Sequence, residues 1–136
     1  MLDARDFYGK QLDGKIVVDL TTPIEVATLE PIYSEAGSAA QEISKTRPGA
    51  RVLKVFHPMF VGATPPEQNA EKVRQVLLAG DDGEAKRRIA QLFDDGGLLA
   101  IDVGPLRRAR ELEAVGYLHV AMGLSLESIL VPGPPV

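Results

Sequence analysis

Apolar residues gather along this chain in four short runs: 16–20 (IVVDL), 51–56 (RVLKVF), 75–79 (QVLLA) and 98–103 (LLAIDV). Each has the length of a strand. The first is nearly continuous, the mark of a strand covered on both faces. His57-Pro58 stops the second, because proline has no amide to give to the ladder. Between the runs the pattern changes to helical spacing. Ser38 opens a helix, with Gln41 three positions on as a capping box requires, and Pro48-Gly49 ends it. A second helix is predicted from about Glu84 to Asp95. Ala85, Ile89, Leu92 and Phe93 line its apolar face, Asp81 or Asp82 caps its start, and Gly96-Gly97 stops it in left-handed geometry. Pro105 opens a third helix, where proline costs nothing. Leu106, Ala109, Leu112, Val115 and Leu118 form its stripe, with a continuation past a break near Gly123 toward Leu130. Residues 1–14 read as polar and mixed, a helix remnant. Residues 24–37 and 61–73 read as loops, and the VPGPPV tail cannot be helical. Strands alternating with helices predict an α/β fold: a truncated Rossmann-like, mostly parallel sheet with flanking helices and a long C-terminal helical segment. Residues 1–136 read as one domain, with 131–136 an irregular tail.

Composition narrows the possible functions. A net charge of -4 and a pI near 5.2 argue against a nucleic-acid or anionic-membrane surface. The basic cluster Arg107-Arg108-Ala109-Arg110 is followed by Glu111 and Glu113, which predicts a solvated helix face with internal ion pairs. Without cysteine, disulfides, thiolate catalysis and cysteine-ligated metals are excluded. No signal peptide and no apolar run of membrane-spanning length stand out, so a cytoplasmic location is the expectation.

The sequence holds no G-x-G-x-x-G, no P-loop and no serine elbow. Its two histidines, His57 and His119, lie far apart without a ligand pattern, so no metal site is expected. Asp81-Asp82 precedes a helix and reads as capping. Asp19 and Asp102 fall inside strands. Each is either bonded to backbone amides near a sheet end or an acid/base with a raised pKa. His57 lies just past a strand's carboxyl end, where open α/β sheets bind ligands. It is the candidate proton carrier, with Phe56, Met59 and Phe60 as an apolar wall; the plainer alternative is a histidine bonded to a loop carbonyl. Thr21 and Thr22 end the first strand at a comparable place. His119 shares a helix with Leu112, Val115 and Leu118 and reads as packing in the core or between subunits. Tyr117 reads similarly and is kept among the candidate ligand contacts.

Three stretches taken together carry a resemblance: LDGKIVVDLTTP, GSAAQEISKTRPGARVLKVFHPMF, and LLAGDDGEAKRRIAQLFDDGGLLAIDVGPLRRARELEAVGYLHVAM. They resemble the later half of the NADP-dependent deazaflavin reductases over roughly residues 11–123. The resemblance implies a Rossmann-type fold, a tendency to pair as dimers, and hydride transfer between NADP(H) and a deazaflavin or another acceptor. The family's first βαβ units, with the glycine turn that grips the pyrophosphate, have no counterpart in these 136 residues. Tight autonomous NADPH binding is therefore not expected, and NADP or a deazaflavin is expected only if the missing half is supplied. Where the family usually has T-N-P, this chain has Thr21-Thr22-Pro23. Where it often has K-A-F-N-T, this chain has Lys54-Val55-Phe56-His57-Pro58.

Three functions are compatible with this reading. The first is a small-molecule enzyme re-used for a non-redox step (cyclisation, isomerisation or dehydration) with His57 as acid/base, aided by Asp19 or Asp102. The second is an oxidoreductase whose nucleotide-binding half comes from another chain. The third is a binding protein without chemistry. A half sheet would expose the edge of the first strand or a neighbour, so a homodimer covering that surface is expected.

Overall fold

The computed structural model describes residues 9–57 and 75–122. Strands β1 (Ile16–Asp19), β2 (Arg51–Phe56), β3 (Gln75–Gly80) and β4 (Leu99–Gly104) form one sheet in the order β1-β2-β3-β4. Helices α1 (Ala39–Thr46), α2 (Gly83–Asp95) and α3 (Ala109–Met122) complete the fold, with short 3-10 turns at Gly9–Leu12 and Leu106–Arg108. β1 runs parallel to β2, with Ile16 opposite Arg51 and Asp19 opposite Lys54. β3 runs parallel to β4, but β2 and β3 are antiparallel, with Leu53 opposite Gly80. The mostly parallel sheet is thus two parallel pairs joined by one antiparallel seam.

The apolar runs form strands because both faces of the sheet are covered. On one face Leu53, Val55, Val76, Leu78 and Ala85 make a buried cluster, closed by Ile89 and Phe93 of α2. On the other, Val52 packs with Ala40, Leu106 and Ala109, and Phe56 packs with Ala79 and Leu112. Every residue of β2 from Val52 to Phe56 is buried. This second face, under α1 and α3, carries the candidate site.

The helix starts follow the sequence signals with two changes. Ser38 Oγ accepts the Gln41 amide at 3.1 Å, as expected. The return bond differs from a capping box, since Gln41 Oε1 accepts the Ser38 hydroxyl at 3.0 Å. Asp82 is the cap of α2 and accepts Ala85 N at 2.9 Å. Asp81 instead accepts Leu106 N at 2.9 Å and so ties the two helix starts together. Gly97 takes the left-handed conformation past α2, with φ of 80°.

Two apolar stripes shift from expectation. Leu92 is exposed, and α2 faces the sheet through Ala85, Ile89 and Phe93. On α3 Leu118 is exposed while His119 is buried. The buried face of α3 runs Ala109, Leu112, Gly116, His119, because a helix turns about 3.6 residues per turn and a strict three-residue stripe drifts off it. The expected continuation of α3 toward Leu130 and the loop at 61–73 lie outside the described residues.

Candidate functional site

β1 and β2 are parallel and finish at the same end of the sheet, so Asp19, Thr21, Thr22, Phe56 and His57 come together there. Lys54, the fully buried charged side chain of β2, organises this end from below. It is 1% exposed. Its Nζ lies 2.9 Å from Asp19 Oδ2 and 3.1 Å from Glu113 Oε1, and it also donates to the carbonyl of Thr21. Asp19 in turn accepts the Thr21 amide at 2.9 Å and the Thr21 hydroxyl at 2.7 Å through Oδ1. The turn after β1 is thus pinned by both Asp19 and Lys54.

Glu113 arrives from α3. Its Oε1 also accepts the amide of Ala39, the first residue of α1, at 3.0 Å. This departs from the expectation of a solvated face: Arg108 and Arg110 pair with Glu111 at 3.5 and 3.3 Å, while Glu113 turns inward, 4% exposed. The consequence is electrostatic. A helix N-terminus at the carboxyl end of a parallel strand is the usual place to hold a phosphate. At α1 that place is taken by the chain's own carboxylate.

α3 approaches this end closely through Gly116. A Cβ there would lie 2.8 Å from Thr22 Oγ1 and 3.5 Å from the Phe56 ring. Glycine in a helix interior costs about 1 kcal/mol relative to alanine. Here it lets α3 sit against the Thr22 turn.

Of the candidate residues, His57 is half-buried just past β2, and Phe56 is buried against Leu112. Met59 and Phe60 lie outside the described residues. Asp102 does not join them. It sits on β4, at the opposite edge of the sheet from Asp19. Partial burial opposes its ionisation. The Lys86 ammonium at 2.9 Å and the Gly104 amide outweigh that and hold its carboxyl below the usual range, the reverse of a raised pKa. Tyr117 packs edge-on to Tyr33, with ring centres 6.5 Å apart, and its hydroxyl points to the Ile32 carbonyl at 3.4 Å. Burial, with the charge of nearby Glu113, pushes its phenol up. It belongs to the outward side of α3. His119 is buried, and its Nδ1 has no hydrogen-bond partner among the described residues.

The residues that sequence reasoning missed are Lys54, Glu113 and Gly116. A lysine in mid-strand and a glycine in mid-helix both break their local pattern, and each break was readable. Glu113 gave no signal, since it sits in a charged run. Among the described residues no group of three or more His, Asp or Glu gathers as a metal site, and no helix is long and apolar enough to cross a membrane.

This arrangement defines the class: a Rossmann-like α/β sheet with a pinned turn at the carboxyl end of a parallel pair. No protein-family model matches the chain. In sequence it is 34% identical over 108 residues to the rat metalloreductase STEAP3, covering 77% of this chain and 20% of that protein. It is 26% identical over 124 residues to the F420-dependent NADP reductase of Methanocaldococcus jannaschii, covering 88% of this chain and 55% of that enzyme. In structure it matches a protein of Arthrobacter sp. FB24 assigned as an F420-dependent NADP reductase. The TM-score is 0.66 at 26% identity, over 85% of this chain and 56% of that one. A hypothetical protein from Sinorhizobium meliloti matches with a TM-score of 0.52 at 26% identity, over 68% and 46%.

The chain is a relative of the F420-dependent NADP reductases, and the match is consistent with the later half of that family. It spans about half the length of the reductases it matches and a fifth of the metalloreductase. The named relatives are reductases, so the non-redox step anticipated for His57 gains no support from them.

Proposed function

We propose that this chain supplies the acceptor-side half of an NADP-dependent oxidoreductase. The observation that carries the reading is the match, in sequence and in fold, to an F420-dependent NADP reductase over 85–88% of the chain. Two features are in keeping with it. β1 stands at the edge of the described sheet, with β2 its neighbour, and among the described residues no strand pairs with its other side. Thr22, Phe56 and Gly116 then form a floor at the strand ends, where such sheets bind ligands.

The described residues do not fit the pyrophosphate of a dinucleotide. They offer no glycine turn, and the start of α1 is taken by Glu113. No nucleotide step is therefore assigned to this chain. In this reading a segment bearing the glycine fingerprint completes the site beside β1. This chain positions the acceptor: Asp19 and Lys54 hold the Thr21-Thr22 turn, and His57 holds or moves a proton at the acceptor through its imidazole.

Two samples test the reading: the purified chain alone, and the chain mixed with a fingerprint-bearing half of a related reductase. Each is given NADPH with deazaflavin F420, a free flavin or a ferric chelate. The expected result is no NADPH oxidation by the chain alone and turnover with at least one acceptor in the complemented sample, lowered by His57→Ala. A complex that forms by size-exclusion chromatography yet turns over NADPH with none of these three acceptors would overturn the reading. So would tight NADPH binding by the chain alone.

A further inference from the structure

The outward face of α3 and the loop at 24–37 flank an open groove of about 440 Å³, within the roughly 300–1,000 Å³ of small-molecule sites. Ile32, Tyr33, Glu113, Ala114, Tyr117 and Leu118 line it, and the exposed Arg110, paired with Glu111 at 3.3 Å, stands on its rim. It lies apart from the Thr22–Gly116 contact, which is made by the inward face of α3. Ile32, Tyr33 and Leu118 are 52%, 83% and 57% exposed, so the walls are apolar surface left open to water. At its inner end stands Glu113, 4% exposed. Its Oε1 is committed to Lys54 and Ala39 N, whereas its Oε2 takes no hydrogen bond from any described residue. Behind it the buried group holds two carboxylates, Asp19 and Glu113, against one ammonium, Lys54, a formal excess of one negative charge.

We propose that this groove binds an organic cation: an aromatic or apolar body carrying an ammonium or amidinium group. The cationic N–H donates to Glu113 Oε2, a charge-assisted bond stronger than a neutral one. The body lies against Tyr33 and Tyr117, whose rings attract cations as well as apolar groups. A neutral ligand would satisfy the walls but not the excess charge at the buried end, and the Arg110 guanidinium on the rim is already paired with Glu111. The inference does not rest on the redox reading, and its test involves no turnover.

The probe is 2-phenylethylammonium, titrated into the full chain and followed by backbone amide shifts, with 2-phenylethanol as the neutral isostere. Saturable shifts are expected at Tyr33, Ala114 and Tyr117, with the amine binding at least about tenfold tighter than the alcohol. Glu113→Gln should abolish that preference. Because Glu113 also braces Lys54, a second variant decides the matter if the first unfolds. Ala114 is exposed on the helix, so Ala114→Trp fills the groove without touching the core, and binding should be lost. Equal affinity for amine and alcohol would overturn the proposal. So would the absence of saturable binding, or binding that survives Ala114→Trp. A wild-type chain that self-associates, and that Ala114→Trp renders monomeric, would also overturn it, since the groove would then be an interface between copies.

Discussion

Lys54 stands between Leu53 and Val55 on a strand whose other buried residues are apolar, where a charge is costly unless paired. It has three partners, Asp19 at the end of β1, the Thr21 carbonyl in the turn and Glu113 on α3, and Glu113 also receives the start of α1. One ammonium thus joins the strand end, the Thr21 turn and two helices. Buried pairs of this kind add little net stability over a well-packed apolar group, but breaking one strands a charge. Lys54→Met fits the volume and leaves Asp19 and Glu113 facing each other without compensation. It is expected to destabilise the fold by about 3–5 kcal/mol, read from urea unfolding midpoints. Replacing Lys54, Asp19 and Glu113 together by Met, Asn and Gln should recover much of that loss, because no buried charge then remains. If Lys54→Met unfolds at the wild-type midpoint, the buried group is not what holds this end together.

At the scale of elements, the antiparallel seam between β2 and β3 needs its own fastening, and Arg51 with Asp82 provides it. Arg51 begins β2, Asp82 caps α2 just after β3, and the guanidinium reaches both carboxylate oxygens at 2.6 and 2.9 Å, with Glu84 at 3.0 Å. The Arg51 hydrogen bond, then the Ala85 amide, hold the Asp82 carboxyl well below its ordinary value of 3.8. A depressed carboxyl stabilises the fold above its unfolded pKa, and the contribution is lost as pH falls through the lower folded value. Asp82→Asn keeps a capping oxygen and removes the charge. The variant is expected to be less stable than wild type at neutral pH, with the gap closing as pH drops below 3.8. Denaturation midpoints measured from neutral to strongly acidic pH check this, and a constant gap would rule out the pair as its source. Elements of this kind were largely legible in advance. The four strands and three helices among the described residues stand where their apolar runs and caps put them, because a strand covered on both faces and a capped helix are local signals. What was not legible needed two elements at once. Leu118 falls outside the buried face because the packing partner of α3, not its spacing, decides which side is covered, while His119 packs inward as expected. Asp102 and Asp19 looked alike in sequence, and only the strand order sends them to opposite edges of the sheet. Glu113 looked like one of a run of surface charges until α1 and β2 were brought beneath it.

For the whole molecule the open question is the edge of β1. Arg51 N donates to Lys15 O at 2.8 Å, and in a parallel ladder alternate residues of a strand bond to the same neighbour. Val17 and Asp19 therefore bond toward β2, while the amides of Ile16 and Val18 point away from it. An edge with outward amides and partly buried apolar side chains is a template for pairing. Either the glycine-bearing half of a reductase or a second copy of this chain would satisfy it, and the two leave different traces. In a monomeric chain the amides of Ile16 and Val18 should exchange with solvent quickly while those of Val17 and Asp19 are protected. Adding the fingerprint-bearing half should protect Ile16 and Val18 at a fixed stoichiometry, independent of how concentrated this chain is. Pairing of two copies would instead protect them progressively as the chain is concentrated, in step with a rise in mass by light scattering. If Ile16 and Val18 are already protected in a dilute monomer, the edge is closed within the chain itself. The acceptor-side half would then have no strand on which to receive its partner.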